Sequence, residues 1–361
     1  MRRKSIGCSV YPIAIFLVWL FVPPAFAGQW VNPKDAIGDP NIARLRPGER
    51  ELTERGKEDI KRYGYTGLEL MVYLDDNKDA GEDNRYQFRR YQINRRGIIT
   101  TTFEGGHVRE YYYKDHRALI TFDGINPGDV QIKFRGFGLY PPEIKGGGGL
   151  FYTFLREKIE DEIETGWRYD INLRRVTRRL NADRSDTLSG SQITWDDWRW
   201  REPWEENHRI LGEDSIDGLE CFVVESVNLD PNYYLSKRVT WIEKQNFLDP
   251  HEEQFDKKGR LYKVINRKWK QIEPWNYWVE KERDYYNVVT HGRAIQRTFH
   301  WLFDQDPKES LFEPQIMETY NTFPGGIKPL PPRAKNSANF PPKPTVRDSF
   351  WQKGNFKAKP E

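Results

Sequence analysis

A long series of short apolar runs with a period of two constrains the fold of this chain most strongly. Runs at 68–74, 130–135 and 238–242 alternate apolar and polar residues, and turn-forming residues separate the runs. This alternation is typical of antiparallel strands that pack on one face. The sequence therefore predicts a mainly antiparallel β fold with a few helices, built as one large, strongly curved meander.

Two helices are predicted beside the strands. A charged stretch over 52–63, with Thr53 as its cap, predicts the first helix. After a run of glycines, apolar residues recur every four positions from Phe151 through Leu155. That spacing predicts a second helix over 150–165 with one apolar face, which we expect to pack against the sheet.

The first 27 residues predict an export signal. Arg2, Arg3 and Lys4 precede an apolar run, and the small-x-small pattern of a signal-peptidase site ends at Ala27. We expect Sec-dependent export and cleavage after Ala27. A transmembrane anchor is the alternative, and it is disfavoured because the run is short and two prolines end it. Cys221 would then be the single cysteine of the mature chain, which excludes an intramolecular disulfide.

Charge divides the chain into unlike parts. The formal net charge is +3, residues 1–27 carry three of the basic groups, and residues 323–361 carry about +6 with eight prolines. The intervening body is about −6, so the mature chain is neutral, which disfavours nucleic-acid binding. We divide the chain into a lead-in with a helix (28–66), a β domain (67–322) and a disordered, Pro-rich basic tail (323–361). The tail is either solubilising or a docking segment for an acidic partner or anionic headgroups.

The sequence gives no positive support for catalysis. None of the six histidines has the spacing of a helical zinc site. The segment 75–81 resembles a calcium loop, but its glycine is misplaced. Leu188-Ser189-Gly190 lacks the preceding glycine of a hydrolase nucleophile elbow. We predict a protein that is not an enzyme and has no metal and no cofactor.

The high content of aromatic residues suggests either ordinary core packing or an apolar cavity. Twelve tryptophans remain after residue 27, and a one-sided sheet that curls must fill its concave face or leave space for a ligand. Strand parity selects the following candidates for cavity lining: Leu68, Leu70, Val72, Val130, Ile132, Phe134, Phe222, Val224, Val239 and Trp241. Four basic residues are candidates for headgroup contacts, with exposed strand charges as the alternative: Arg174, Arg175, Lys237 and Arg238.

The order of several segments resembles a known family. The segments are Trp167-Arg168-Tyr169-Asp170, Ile210-Leu211-Gly212-Glu213-Asp214, Cys221-Phe222-Val223-Val224-Glu225, Tyr234-Leu235-Ser236-Lys237-Arg238-Val239 and Asp256-Lys257-Lys258-Gly259-Arg260-Leu261. In this order they resemble the LolA-like outer-membrane lipoprotein-sorting proteins. The resemblance implies a LolA/LolB-like incomplete, half-open β-barrel closed by helices, in a periplasmic protein that associates with the outer membrane at most peripherally. The aromatic cluster at 195–204 and the basic tail are additions to the family pattern.

Three functions are compatible with these observations. The first, implied by the resemblance, is a periplasmic carrier or chaperone that binds the acyl chains of lipoproteins or lipids in the concave cavity. The second is a non-catalytic scaffold or accessory subunit of an envelope transporter, with its cavity filled by its own side chains. The third is a hydrolase of an envelope lipid. For the carrier, the tail 323–361 is the expected contact with an inner- or outer-membrane transporter or acceptor.

Overall fold

The computed structural model describes residues 54–78, 81–112, 128–155, 164–179, 183–198, 201–319 and 322–352. The predicted export signal lies outside these ranges. The α-helices are α1 (Glu54–Tyr63), α2 (Gly67–Lys78), α3 (Trp195–Trp198), α4 (Ile316–Thr319) and α5 (Asp348–Gln352). Within the described part of the chain, no helix is long and apolar enough to cross a bilayer.

Thirteen strands form a single sheet. Their bounds are β1 (Asp83–Ile93), β2 (Ile99–Tyr111), β3 (Val130–Tyr140), β4 (Gly148–Phe154), β5 (Glu164–Asp170), β6 (Arg175–Arg179), β7 (Glu206–Ile216), β8 (Leu219–Asn228), β9 (Leu235–Glu243), β10 (His251–Asp256), β11 (Leu261–Ile272), β12 (Tyr277–Asn287) and β13 (Arg293–Phe303).

The chain enters the sheet at its centre. From β1 it builds outward to β6 at one edge, restarts at the opposite edge with β7, and returns to β13, which pairs with β1. Neighbouring strands are antiparallel throughout, for example Arg90 opposite Gln296 and Phe134 opposite Phe151. The fold class predicted from the sequence, an open antiparallel sheet with few helices, is confirmed.

Helix α2 shows that the sheet is strongly curved. The helix contacts both β7 and β12, which are five strand positions apart and would be separated by roughly 24 Å in a flat sheet. A helix about 10 Å across can touch both strands only if the sheet wraps around it. We call the face that carries α2 the concave face and the opposite one the convex face.

Two local predictions of secondary structure are wrong. The run 68–74 is part of helix α2 and not a strand, because a reciprocal capping box between Thr66 and Glu69 starts a helix there. The stretch 148–154 is strand β4 and not the start of a helix, because its backbone pairs with β3 on one side and β5 on the other. The helix predicted over 52–63 is observed as α1.

The C-terminal segment, which we define as residues 304–319 and 322–352, crosses the convex face from one edge of the sheet to the other. Phe312 and Phe323 pack on Phe137 and its neighbours, and Phe340 packs on Tyr91. Phe350 and Trp351 then cover Trp241. The predicted disorder of the tail is therefore wrong for residues 323–352.

Cations of the tail contact the body of the same chain. Arg333 forms an ion pair with Glu104, and Arg347 forms one with Asp214. The acidic partner of these two tail residues is thus the convex face of the sheet itself.

Candidate functional site: an aromatic pocket on the concave face

Helix α2 fills one half of the concave face, over β7 to β9. Leu70 and Leu74 are completely buried against Ile210, Phe222 and Val224. At the start of α2 the Glu69 carboxylate accepts a hydrogen bond from the Thr66 amide at 2.7 Å, and burial raises the pKa of this carboxyl to about 7. This half is closed by the protein's own side chains.

The middle of the concave face holds a buried network that we call the ionic cluster. Its members are Asp196, Asp197, Arg201, Glu206, Arg238, Asp249, Glu252, Lys263, Arg267, Glu280 and Arg283. Glu252 lies within 3.7 Å of three of these guanidinium groups. Burial opposes its ionisation, but Arg267, Arg238 and Arg201 together hold the pKa of Glu252 well below its ordinary value.

Little space remains around the ionic cluster. The cavity beside it has a volume of about 110 Å³ and is lined by charged side chains such as Arg201 and Glu280. Ligand pockets in proteins usually measure about 300–1,000 Å³ and are mainly apolar. This part of the concave face therefore does not have the character of an acyl-chain site.

The other half of the concave face, over β1 to β5, contains an open pocket of about 370 Å³. We call it the aromatic pocket, since its lining is rich in aromatic rings, among them Phe88, Phe103, Phe134, Phe151, Trp195 and Trp198. The rings form a continuous series, with centroids 4.6 Å apart between Phe134 and Trp198 and 5.5 Å apart between Phe151 and Trp195. Its size and lining are those of a site for an apolar group.

Glycines on the concave face of β2 to β5 make room for this pocket. Gly105 lies beneath the Phe88 ring, where an added Cβ would be 2.5 Å from ring carbons, and Gly166 lies beneath Phe151, at 2.6 Å. At Gly136 an added Cβ would meet nothing closer than 3.4 Å. The first two glycines let the rings lie flat on the sheet, and Gly136 forms open floor of the pocket.

The Trp195 and Trp198 side chains of α3 form the outer wall of the pocket. A capping box fixes α3, because the Asp197 amide donates to Thr194 Oγ1 at 3.2 Å and the Thr194 amide donates to Asp197 Oδ2 at 2.8 Å. Asp197 also pairs with Lys263 of the ionic cluster. The wall is thus held from the opposite half of the concave face.

Polar side chains also line the aromatic pocket, namely Arg90, His107, Glu143, Arg168, Asp170, Asn172 and Thr187. Of these, Arg90 and His107 are buried next to the rings. His107 is hydrogen-bonded through Nδ1 to the Tyr86 hydroxyl at 2.8 Å. Burial, with Arg109 and Arg90 nearby, lowers the pKa of His107 well below its ordinary value, so the ring is neutral at pH 7. Arg90 is 5% exposed and donates from Nε and Nη2 to Gln296 Oε1 at 3.2 and 3.0 Å.

The predicted cavity residues do not form one site. Phe134 lines the aromatic pocket, Ile132 is buried on the same face of β3, and Val130 lies half-buried at the start of that strand. Leu68, Leu70 and Val72 are buried on helix α2. Phe222 and Val224 face α2. Val239 and Trp241 face the convex side beneath the C-terminal segment. The prediction from strand parity is wrong at β9. Parity shows which residues share a face of a strand, but it does not show which of the two faces is concave.

The predicted headgroup residues are also dispersed. Arg174 lies in the turn before β6 and Arg175 is the first residue of β6, and both are exposed. Lys237 lies on the convex side and pairs with Glu225, whereas Arg238 is buried on the concave side and pairs with Glu206. Adjacent strand residues point to opposite faces, so Lys237 and Arg238 cannot act together.

Several pocket residues were missed from the sequence. Phe88, Arg90 and His107 lie on strands outside the alternating runs that the sequence shows, and Phe151 lies within the predicted helix 150–165. The spacing of Gly136 and Gly138, two residues apart in a strand, was the available signal, since glycine there marks close approach of other groups.

Comparison with known proteins supports the same fold. A model of a family of uncharacterized proteins matches residues 140–319, just under half of the chain. A DUF1329 family protein from Desulfovibrio piger is 17% identical, with a TM-score of 0.59, and the match covers 73% of this chain and 100% of that one. No curated protein matches the chain.

Two further solved structures are similar. A domain described as an outer membrane lipoprotein-sorting protein domain, from Vibrio parahaemolyticus, is 20% identical with a TM-score of 0.58, covering 70% of this chain and 98% of its own. A LolA superfamily protein from Nitrosomonas europaea is more distant, at 13% identity and a TM-score of 0.48, covering 69% and 97%. The resemblance seen in the sequence is confirmed at the level of the fold.

Proposed function

We propose that this chain, which has the fold of the outer-membrane lipoprotein-sorting proteins, is a non-catalytic periplasmic carrier whose aromatic pocket holds an acyl chain. The pocket itself is the observation that carries the proposal: it has a volume of about 370 Å³, aromatic rings line it, and glycine forms part of its floor. The signal-like residues 1–27 support the periplasmic location.

The energetics of burial suit capture of a chain from water. Each buried methylene contributes about 0.8 kcal/mol, so about ten of them supply roughly 8 kcal/mol before the costs of association. Release requires an acceptor that binds the chain better or a change in the pocket's shape. Trp195 and Trp198 form the wall whose movement would change that shape, and because Asp197 of α3 pairs with Lys263, such movement would have to strain or break that pair.

A second candidate, the non-transporting scaffold, is favoured by one observation. Helix α2 and the ionic cluster fill the other half of the concave face and leave a cavity of about 110 Å³. A protein whose whole concave face served to hold lipid would not need this filling. The lipid-hydrolase alternative gains nothing from the structure.

Filling the aromatic pocket tests the carrier. In Gly136→Leu the new side chain would extend from the open floor into the pocket, and Ser310→Leu is the control. Ser310 lines a separate cavity of about 530 Å³ on the convex face. Both purified variants and the wild type would be titrated with a fluorescent fatty acid, and lipids that co-purify from periplasm would be identified by mass spectrometry.

We expect Gly136→Leu to weaken fatty-acid binding at least tenfold and to lose co-purifying lipid, whereas Ser310→Leu behaves like wild type. Thermal unfolding of both variants checks that the fold is intact. Absence of co-purifying lipid from the wild type, together with no fatty-acid binding, would exclude the carrier and favour the scaffold. Equal weakening by both substitutions would place the binding site elsewhere.

A further inference from the structure

Arg90 differs from the other buried arginines of the concave face in how its charge is balanced. Arg201, Arg238, Arg267 and Arg283 each lie within ion-pair distance of a carboxylate. Among the residues that the structure describes, Arg90 has no such partner. Its polar contacts are to the neutral amide of Gln296.

The surroundings of Arg90 compensate its charge poorly. The guanidinium lies 5.6 Å from the Phe88 ring centre and 5.7 Å from that of Phe103, distances at which a cation–π interaction contributes about 1–2 kcal/mol. Burial lowers the pKa of Arg90 to about 10, so the group stays charged at pH 7. A buried charge without an opposite charge is costly, and proteins normally pair it.

Arg90 lines the aromatic pocket next to Phe88, Phe103 and His107. A ligand among these rings therefore meets apolar side chains and one desolvated cation at the same time. The two carboxylates of the lining are less shielded, since Glu143 is exposed and Asp170 is half-buried. A guanidinium suits carboxylate and phosphate groups in particular, because its donors match two oxygen atoms. A neutral headgroup would leave the charge of the Arg90 guanidinium without an opposite charge.

We propose that Arg90 binds the anionic headgroup of the ligand, so that the pocket selects acyl chains bearing a carboxylate or a phosphate over neutral ones. This inference rests on the proposed acyl-chain carrier. In this arrangement the aromatic rings bind the acyl chain of the ligand, and a single residue of β1, Arg90, binds its charged headgroup.

Three ligands of equal chain length test the selection: dodecanoate, dodecyl phosphate and dodecanol. Each would be titrated by calorimetry into the delipidated full chain, with acetate and inorganic phosphate as chainless anions. The variants are Arg90→Gln, which can still hydrogen-bond Gln296, and Arg168→Gln. Arg168 is an exposed cation that also lines the pocket, which makes it the matched control.

We expect the wild type to bind both anionic ligands at least tenfold more tightly than dodecanol, and the chainless anions weakly or not at all. Arg90→Gln should remove this preference without weakening dodecanol binding, and Arg168→Gln should retain it. Unchanged dodecanol binding by Arg90→Gln shows that its pocket is intact.

Three outcomes would overturn the assignment. Equal binding of all three ligands by the wild type leaves a carrier without charge selection. Loss of the preference in Arg168→Gln alone moves the headgroup to the rim of the pocket. Binding of none of the three ligands by the wild type removes the carrier itself, and the role of Arg90 with it.

Discussion

The carboxylate of Asp197 and the ammonium group of Lys263 form an ion pair in which both side chains are fully shielded from solvent. Asp197 belongs to α3, whose tryptophans bound the aromatic pocket, and Lys263 belongs to β11 in the other half of the sheet. Asp197 also accepts a hydrogen bond from Gln254 at 2.9 Å. The wall of the pocket is therefore anchored by buried charges that do not touch the pocket's contents.

Removing one partner of this pair should be strongly destabilising. Lys263→Met leaves the Asp197 carboxylate buried without its cation, which costs roughly 3–5 kcal/mol in comparable sites. We expect that loss in urea unfolding. The control is Lys244→Met, because Lys244 pairs with Glu213 near the surface, where both side chains are partly exposed. Its effect should stay within about 0.5 kcal/mol. A loss below about 1 kcal/mol for Lys263→Met would contradict the anchoring role.

Two glycines on neighbouring strands should respond oppositely to the same substitution. Gly105→Ala places a Cβ 2.5 Å from the Phe88 ring and 3.0 Å from the Phe137 carbonyl oxygen, and we expect a loss of about 1–3 kcal/mol. Gly136→Ala meets nothing closer than 3.4 Å and reduces the entropy of the unfolded chain, so it should be neutral or stabilising by up to about 1 kcal/mol. Chemical denaturation of both variants measures the difference, and equal effects would show that Phe88 does not lie on Gly105.

Glu69 should make the protein less stable as pH rises. Its pKa is about 7 in the folded state against 4.5 ordinarily. The contribution of Glu69 to the free energy of unfolding is therefore complete below about pH 4.5 and is lost as pH rises through about 7. The loss amounts to about 3 kcal/mol. Glu69→Gln keeps an acceptor for the Thr66 amide but cannot ionise.

The measurement is the difference in unfolding free energy between pH 5 and pH 8 for both proteins. We expect this difference to be smaller in Glu69→Gln by about 2–3 kcal/mol, since other titrating groups contribute equally to both. Identical pH profiles would show that Glu69 is not buried at the start of α2.

The C-terminal segment should protect Cys221 from chemical modification. Cys221 is fully buried in the cluster that Phe350 covers, and burial raises the pKa of its thiol to about 12. Because the thiolate is the reactive form, Cys221 of the native protein should react very slowly with a disulfide reagent. Phe350→Ala weakens the docking of the segment over Trp241, and we expect the rate to rise tenfold or more.

Phe340→Ala provides the control for this experiment. Phe340 belongs to the same segment but packs on Tyr91, with ring centroids 4.9 Å apart, away from Cys221. Its rate of modification should stay close to that of the wild type. Similar acceleration by both substitutions would indicate that the whole segment detaches as one unit.

The sequence predicted well the features that depend on neighbouring residues. The alternation at 130–134 and at 238–242 corresponds to β3 and β9, and the charged stretch at 52–63 corresponds to α1. It predicted less well where a segment is apolar on nearly every side. Residues 68–72 of α2 are all buried, because the sheet surrounds the helix, and so the apolar pattern carried no helical period.

The capping box was a local signal that could have corrected the error at α2. Thr66 and Glu69 have the spacing of that motif, and the reciprocal hydrogen bonds form in the structure. No comparable local signal exists at 148–154. The strand forms there because Phe151 pairs with Phe134 on one side and with Gly166 on the other, and both partners lie outside the local sequence.

The amino-acid sequence by itself determined the antiparallel class of the fold, its resemblance to lipoprotein-sorting proteins and the opposite charges of body and tail, because alternation, motif order and charge are properties of the chain read in order. Only the tertiary structure decided which face of each strand is concave, that the tail binds the body, and that Arg90 lies among the pocket rings with no carboxylate of the described residues at ion-pair distance. These features depend on the curvature of a thirteen-stranded sheet and on contacts between residues hundreds of positions apart, such as Arg90 and Gln296. A short-range pattern contains no information about either.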